Sequence, residues 1–229
     1  MNDRFDMALA LIEKAKANEY NFDHGQPYEN ALLTGVVSLE LKVSIKEIFD
    51  HLRSALDYCA KEVVVSYTPD RVSKKVYFPI VAKDFKQENF RSRVGQLLPG
   101  LLINRADLIP IFESYQPFSS ADNFWLADLA TLCNENKHEN LSVSAIAESP
   151  TVIGIDKNGN HYNHTFRQDG VTPFPRITFA LLKNFPQGAK GKYESVYLEF
   201  TDIEEEVNSF VNVCVNGVEN IVRELQRAL

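Results

Sequence analysis

Apolar positions along this chain recur at two different periods. In the stretch 32–65, Leu41, Ile45, Ile48, Leu52, Leu56, Cys59 and Val63 step by 4, 3, 4, 4, 3 and 4. A period near 3.6 marks an amphipathic helix. It predicts a long spine helix that begins between Asn30 and Ser38. The helix ends at Thr68-Pro69, because a residue preceding proline is pushed out of the helical region. A second such stripe runs through Ile203, Val207, Phe210, Cys214, Val218, Ile221, Leu225 and Ala228. Asp202 and Glu204–Glu206 stand at the start of this C-terminal helix, and Arg223 and Arg227 near its end. Both placements complement the helix dipole. The stripe needs a cover. Either the N-terminal or spine helix supplies it, or a second copy does, through a coiled-coil-like homodimer seam.

Shorter helices are expected elsewhere. Residues 3–18 carry Phe5, Leu9 and Ile12 on one face, with Asn2 or Asp3 as cap. Residues 19–30 hold Gly25 and Pro27 and read as a connector. Residues 86–98 and 105–115 read as two helices parted by Pro99-Gly100. Ser119 and Asp122 resemble a capping box. They open a helix that runs to His138, with Trp125, Leu129 and Leu132 or Cys133 facing inward. Residues 75–81 are rich in β-formers but contain Pro79, which predicts an edge strand or an extended crossing segment.

Between 143 and 201 the pattern changes to strands: Thr151–Asp156, His161–Arg167, Arg176–Leu182 and Tyr193–Thr201. Asn158-Gly159 between the first two is a hairpin signal, and 184–192 reads as a loop. The expected architecture is a single α+β domain over 1–229. It has a mainly helical bundle at 1–142, a small three- or four-stranded antiparallel sheet at 143–201 and the C-terminal helix at 202–229.

Composition narrows the function classes. Fifteen Phe and nine Tyr supply ample core volume. A net charge of -7 argues against a broad nucleic-acid face, so nucleic acid is not the favoured partner, although a local basic groove is still compatible. Cys59, Cys133 and Cys214 are odd in number and widely spaced, which speaks against a disulfide framework or a zinc knuckle. No leader-like segment and no run of ~18 apolar residues occurs. These features together predict a cytoplasmic protein of bacterial or phage type that is not membrane-embedded.

Two polar clusters interrupt the helical stripes. Arg53 and Asp57 are one turn apart on the spine helix and can pair. Their pairing is either a boundary salt bridge or an anion-binding guanidinium with an orienting carboxylate. Asn134, Lys137 and His138 close the helix that starts near 120. They are either a helix cap with a solvated Lys-His pair, or a general acid/base histidine flanked by anion-steadying groups. If the two helices pack together, Arg53, Asp57, Asn134, Lys137 and His138 form one candidate catalytic cluster. His24 and His51 have no evident partner. His161 and His164 are three apart on a strand and face opposite ways, so no metal site is expected there. Gly188–Lys192 lacks the spacing of a phosphate-binding loop, and no cofactor motif is present. Two basic stretches with interleaved aromatics, 70–93 and 167–192, read as solvated surface or as walls of a single-strand nucleic-acid groove.

On these motifs the chain resembles a loosely defined set of bacterial proteins without an assigned activity. Their pattern is an LRSALDH-like helix, an FPI segment, a QPY segment and a helix ending N-x-x-KHR. The counterparts are Leu52–Tyr58, Phe78–Ile80, Gln116–Phe118 and Asn134–Glu139, within residues 45–140. Tyr58 stands in place of the histidine and Glu139 in place of the arginine. The resemblance implies a shared fold. A weaker likeness is to HEPN-type helical ribonucleases of toxin and phage-defence systems, whose signature is arginine, four to six residues, then histidine. Counting back from His138, those positions hold Thr131, Leu132 and Cys133. Two function classes follow. One is a non-enzymatic helical interaction or regulatory protein. The other is a metal-independent ribonuclease that uses His138 with Arg53, Lys137 and Asn134 around the phosphate.

Overall fold

The computed structural model describes residues 3–68, 75–138, 141–148, 151–155, 161–165, 190–192 and 195–229. For 21, 23, 135–138, 147–148, 151–155, 161–165, 190–192 and 195–196 it describes the backbone only. It is an α+β fold with eight α-helices and six strands among these residues. The chain divides into two compact units. One comprises Met1–Asn21, Val43–Leu141 and Phe210–Leu229, and the other Phe22–Lys42 and Ser142–Ser209. No helix among the described residues is long and apolar enough to cross a membrane.

The first unit is all helix and coil. The spine, α3 (Leu39–Tyr67), spans 29 residues. Its start is set by Ser38, whose hydroxyl accepts the Leu41 N–H at 3.2 Å. Every residue of the expected spine stripe is buried, and Phe49, Ala55, Ala60 and Val64 widen it. On α1 (Asp3–Asp23) the buried face is Phe5, Ala8, Ile12 and Ala15. Leu9 is only half-buried, so the small alanines rather than Leu9 mark the contact side. Arg4 pairs with Glu62 of α3 at 3.0 Å.

The C-terminal helix, α8 (Val207–Ala228), starts four residues later than the stripe suggested. Ile203 lies in a turn, and Glu206 caps the helix: its carboxylate accepts the N–H groups of Asn208 at 3.1 Å and Ser209 at 2.7 Å. The apolar face is broader than a coiled-coil seam, because Val211, Val215 and Val222 are buried beside the expected stripe. That face is buried within the chain from Val207 to Leu225, and Ile203 and Ala228 at its ends are half-buried. Phe49 and Phe210 meet edge to face at 6.0 Å. At its polar edge, Glu219 bridges Lys16 at 2.7 Å and Arg223 at 2.6 Å. The Lys16 ammonium, then Arg223, hold the Glu219 carboxyl below its ordinary range. Arg105 finishes the helix by donating to the Ala228 carbonyl at 2.8 Å.

Helix α7 (Phe124–His138) follows a 3-10 turn, Ala121–Asn123, that is capped by Ser120 rather than Ser119. The Ser120 hydroxyl accepts the Asp122 N–H, while Ser119 donates to the Glu113 carbonyl. The predicted helix at 86–98 is a 3-10 turn, Gln87–Asn89, leading into α4 (Phe90–Leu97). Its neighbour at 105–115 breaks into a 3-10 turn, Ala106–Leu108, and α6 (Ile109–Ser114). A single-turn α5 (Leu101–Asn104) precedes it.

Residues 75–82 take neither of the regular forms. They cross the helices as coil, and the edge strand considered for them is not formed. The Asp57 carboxylate accepts the Phe78 N–H at 2.9 Å. The fully buried Gln116 donates to the Pro79 carbonyl at 2.9 Å. A proline has no N–H to offer a ladder, so side chains hold this segment in place of a neighbouring strand.

The second unit contains α2 (Gln26–Thr34) and the strands. The stretch expected as a connector, 19–30, is mostly helix: α1 continues to Asp23, and Pro27 sits in the first turn of α2, where its missing N–H costs nothing. Gly35 ends α2 at φ 70°, a conformation glycine adopts freely. β1 (Val143–Glu148), β5 (Ser195–Phe200) and β6 (Glu205–Glu206) form one antiparallel sheet in the order β1-β5-β6. Val143 opposes Phe200 and Ala145 opposes Leu198, all buried. β3 (His161–Thr165), β2 (Thr151–Ile155) and β4 (Lys190–Lys192) form a second, in the order β3-β2-β4. Thus there are two small sheets where one was expected, and β4 lies inside the stretch read as a loop. β2 and β3 pair antiparallel from Ile155↔His161, as the Asn-Gly signal requires, although the turn itself lies outside the described residues. The expected strand Arg176–Leu182 also lies outside them.

Candidate functional site

Three of the five candidate residues line one cavity. Its volume is about 310 Å³, and among the described residues its polar lining consists of Arg53, Asp57, Tyr77, Arg93, Cys133 and Asn134. Phe78, Ile80, Leu97 and Ala130 complete the wall. α3 contributes Arg53 and Asp57, α7 contributes Asn134, α4 contributes Arg93, and the coil at 77–80 closes the site. The convergence follows from helix phase. Leu52 and Leu56 are core residues at 0% exposure, so Arg53 and Asp57, one step round from them, fall at the boundary of the core.

Arg53 Nε lies 3.6 Å from Asp57 Oδ2, with both side chains about a quarter exposed (26% and 27%). The other carboxylate oxygen takes the Phe78 N–H. Asp57 therefore offsets one guanidinium and anchors the coil at the same time. Arg93 differs. It is exposed and makes no ion pair or hydrogen bond among the described residues. Its neighbour in the basic stretch, Lys83, is already engaged: it pairs with the buried Asp128 at 2.7 Å and sits 5.3 Å over the Phe124 ring. Among the described residues the cavity thus holds two guanidiniums against one carboxylate. This surplus of positive charge favours an anion.

Lys137 and His138 belong to the last turn of α7, and their side chains lie outside the described residues. The register places His138 one turn beyond Asn134. Cys133 donates weakly to the Phe49 carbonyl at 3.7 Å and serves the core as well as the cavity. Burial pushes the Cys59 and Cys214 thiols well above their ordinary range, so neither is a nucleophile. All three cysteines are unbridged. No cluster of three metal-ligating side chains occurs among the described residues. His161 and His164 sit on β3 opposite Ile155 and Val152. Of the Gly-Lys stretch 188–192 only the backbone of Lys190–Lys192, in β4, is described, and most of the basic stretch at 167–192 lies outside the described residues.

Arg93 and Tyr77 were not singled out as site residues by sequence, although both stand in the basic, aromatic-rich stretch 70–93. One of two arginines on a short helix, Arg91 and Arg93, carries no signal of its own. A second cavity of about 500 Å³ adjoins the first, with Ile80 and Arg93 in the walls of both. No family model, no curated protein and no solved structure matches the chain.

Proposed function

We propose that this chain is a non-enzymatic helical interaction or regulatory protein whose cavity takes an anionic group. The observation that carries this reading is the Arg93 guanidinium, without an ion pair or hydrogen bond among the described residues, in the wall of the cavity that also holds the Arg53–Asp57 pair. A buried ion pair alone would serve packing; an extra cation with no partner of its own supplies a place for a ligand's charge. The three unbridged thiols support a reducing, cytoplasmic setting. Inorganic phosphate or sulfate at millimolar concentration is expected to raise the melting temperature of the wild type more than sodium chloride of equal ionic strength does. Arg93→Gln should lower phosphate affinity about tenfold, the worth of one hydrogen bond to a charged group. Equal rises for phosphate and chloride, or for wild type and variant, reject the reading.

The ribonuclease alternative, with its likeness to HEPN-type proteins, draws support from one observation: Asn134 shares the cavity with Arg53, and His138 follows Asn134 by one turn. Under it, a single-stranded RNA is cleaved by the wild type without metal, and His138→Ala abolishes cleavage. Negligible cleavage by both proteins removes the alternative and leaves the binding reading standing.

A further inference from the structure

The two adjoining cavities share a floor. Tyr77, Phe78 and Ile80 line the first, and Ile80, Val81 and Phe85 line the second. This floor is the coil that no strand pairs. Side chains satisfy only the Phe78 N–H and the Pro79 carbonyl, and Ala82 accepts from Phe85. Among the described residues the backbone N–H groups of Tyr77, Ile80 and Val81 make no hydrogen bond. Backbone groups left open along a cavity are a template for another chain.

The charge has an equally specific layout. Arg93 stands at the waist where the cavities meet, and it is the one ionisable residue among the described walls of the second. In the first, Arg53 and Asp57 offset each other. Among the described residues the groove therefore carries one uncompensated positive charge, at its middle. Uncharged hydrogen-bonding side chains flank it: Asn134 on one side, Asn89, Ser92 and Gln96 on the other.

We infer that the two cavities form one groove that binds an extended peptide segment carrying a single acidic residue, whose carboxylate meets Arg93. The inference rests on the anion-site reading and names its ligand. The peptide backbone pairs with the open N–H groups of 77–81, and the amide side chains take its remaining carbonyls and N–H groups. A nucleic-acid strand fits less well, because it brings one charge per nucleotide to a groove with one to spare, on a chain of net charge -7.

A library of random decapeptides displayed on phage, selected on the full-length protein, tests this. Enriched peptides are expected to share one Asp or Glu between uncharged residues. A synthetic copy of the best one should bind the wild type about 10- to 100-fold more tightly than Arg93→Gln, the range for a hydrogen-bonded charge. Methylating alternate backbone nitrogens should weaken it at least tenfold in one of the two alternating sets. Arg93 is exposed, so its replacement leaves the fold intact, which an unchanged melting temperature verifies. No enriched peptide, enrichment without an acidic residue, or indifference to Arg93→Gln overturns the inference. So does hexauridylate binding more tightly than the best peptide. If phosphate still binds through Arg93 while peptides fail, the peptide assignment alone is lost; if neither binds, the anion site falls with it.

Discussion

Replacing Gly217 with alanine should destabilise the protein by about 2 kcal/mol, although the same change in most exposed helix interiors stabilises. Alanine has an advantage of about 1 kcal/mol over glycine inside a helix. Against it stands the indole of Trp125. A methyl group built on Gly217 would lie 2.3 Å from Cζ2 and 2.6 Å from Cη2 of that ring. These distances are well inside van der Waals contact, and Trp125 is buried at 9% exposure, so the ring cannot simply swing into solvent. Forcing an overlap this deep costs about 3 kcal/mol, the upper end of what overpacking usually costs. The overlap outweighs the propensity gain, and α7 and α8 move apart. Chemical denaturation followed by far-ultraviolet circular dichroism, which reads the helices with or without the one tryptophan, measures it. Trp125→Phe should recover part of the loss in the double variant, since the pair is then coupled. A stabilised Gly217→Ala protein would show that the two helices do not approach this closely.

The second large effect separates the two tasks of Asp57. Asp57→Ala should lower stability by about 2 kcal/mol, because the Phe78 N–H loses a charged acceptor beside a side chain that is 1% exposed. Asp57→Asn keeps an oxygen at that place and should cost less than about 1 kcal/mol. Both variants remove the charge that competes for Arg53. Phosphate affinity should therefore rise in both, by about fivefold, the upper range for a partly exposed ion pair. Denaturation and calorimetric titration on the same samples resolve the two tasks. A fall in affinity for Asp57→Asn would mean that the carboxylate works with the ligand rather than against it.

The helices were legible because burial repeats with the period of the backbone. The spine stripe is buried as read, the C-terminal stripe is buried from Val207 to Leu225, and Arg53 and Asp57 inherit their place from Leu52 and Leu56. What escaped was local chemistry. Pro27 was read as a breaker when it serves as a starter, a role that depends on where the first turn falls. Glu206 was read as dipole compensation when it caps the helix directly, so the start shifted from 203 to 207. The segment 75–82 has a strand-like composition but finds side-chain partners before it finds a strand. That Arg53 and Asn134 share a cavity was a conditional reading, contingent on α3 meeting α7. Arg93 could not be foreseen, because its role depends on what is absent around it rather than on its neighbours in sequence.

The way in which 75–82 is held has a consequence for motion. A strand inside a sheet opens only when many ladder bonds break together. Among the described residues, side-chain hydrogen bonds fasten this segment at Phe78 and Pro79, and Val76, Phe78 and Val81 seat it. It can lift as one small unit while the helices beneath stay folded, so its opening free energy is well below that of global unfolding. The groove is therefore built over a segment that side chains rather than a ladder hold down, and whatever binds there fastens it further.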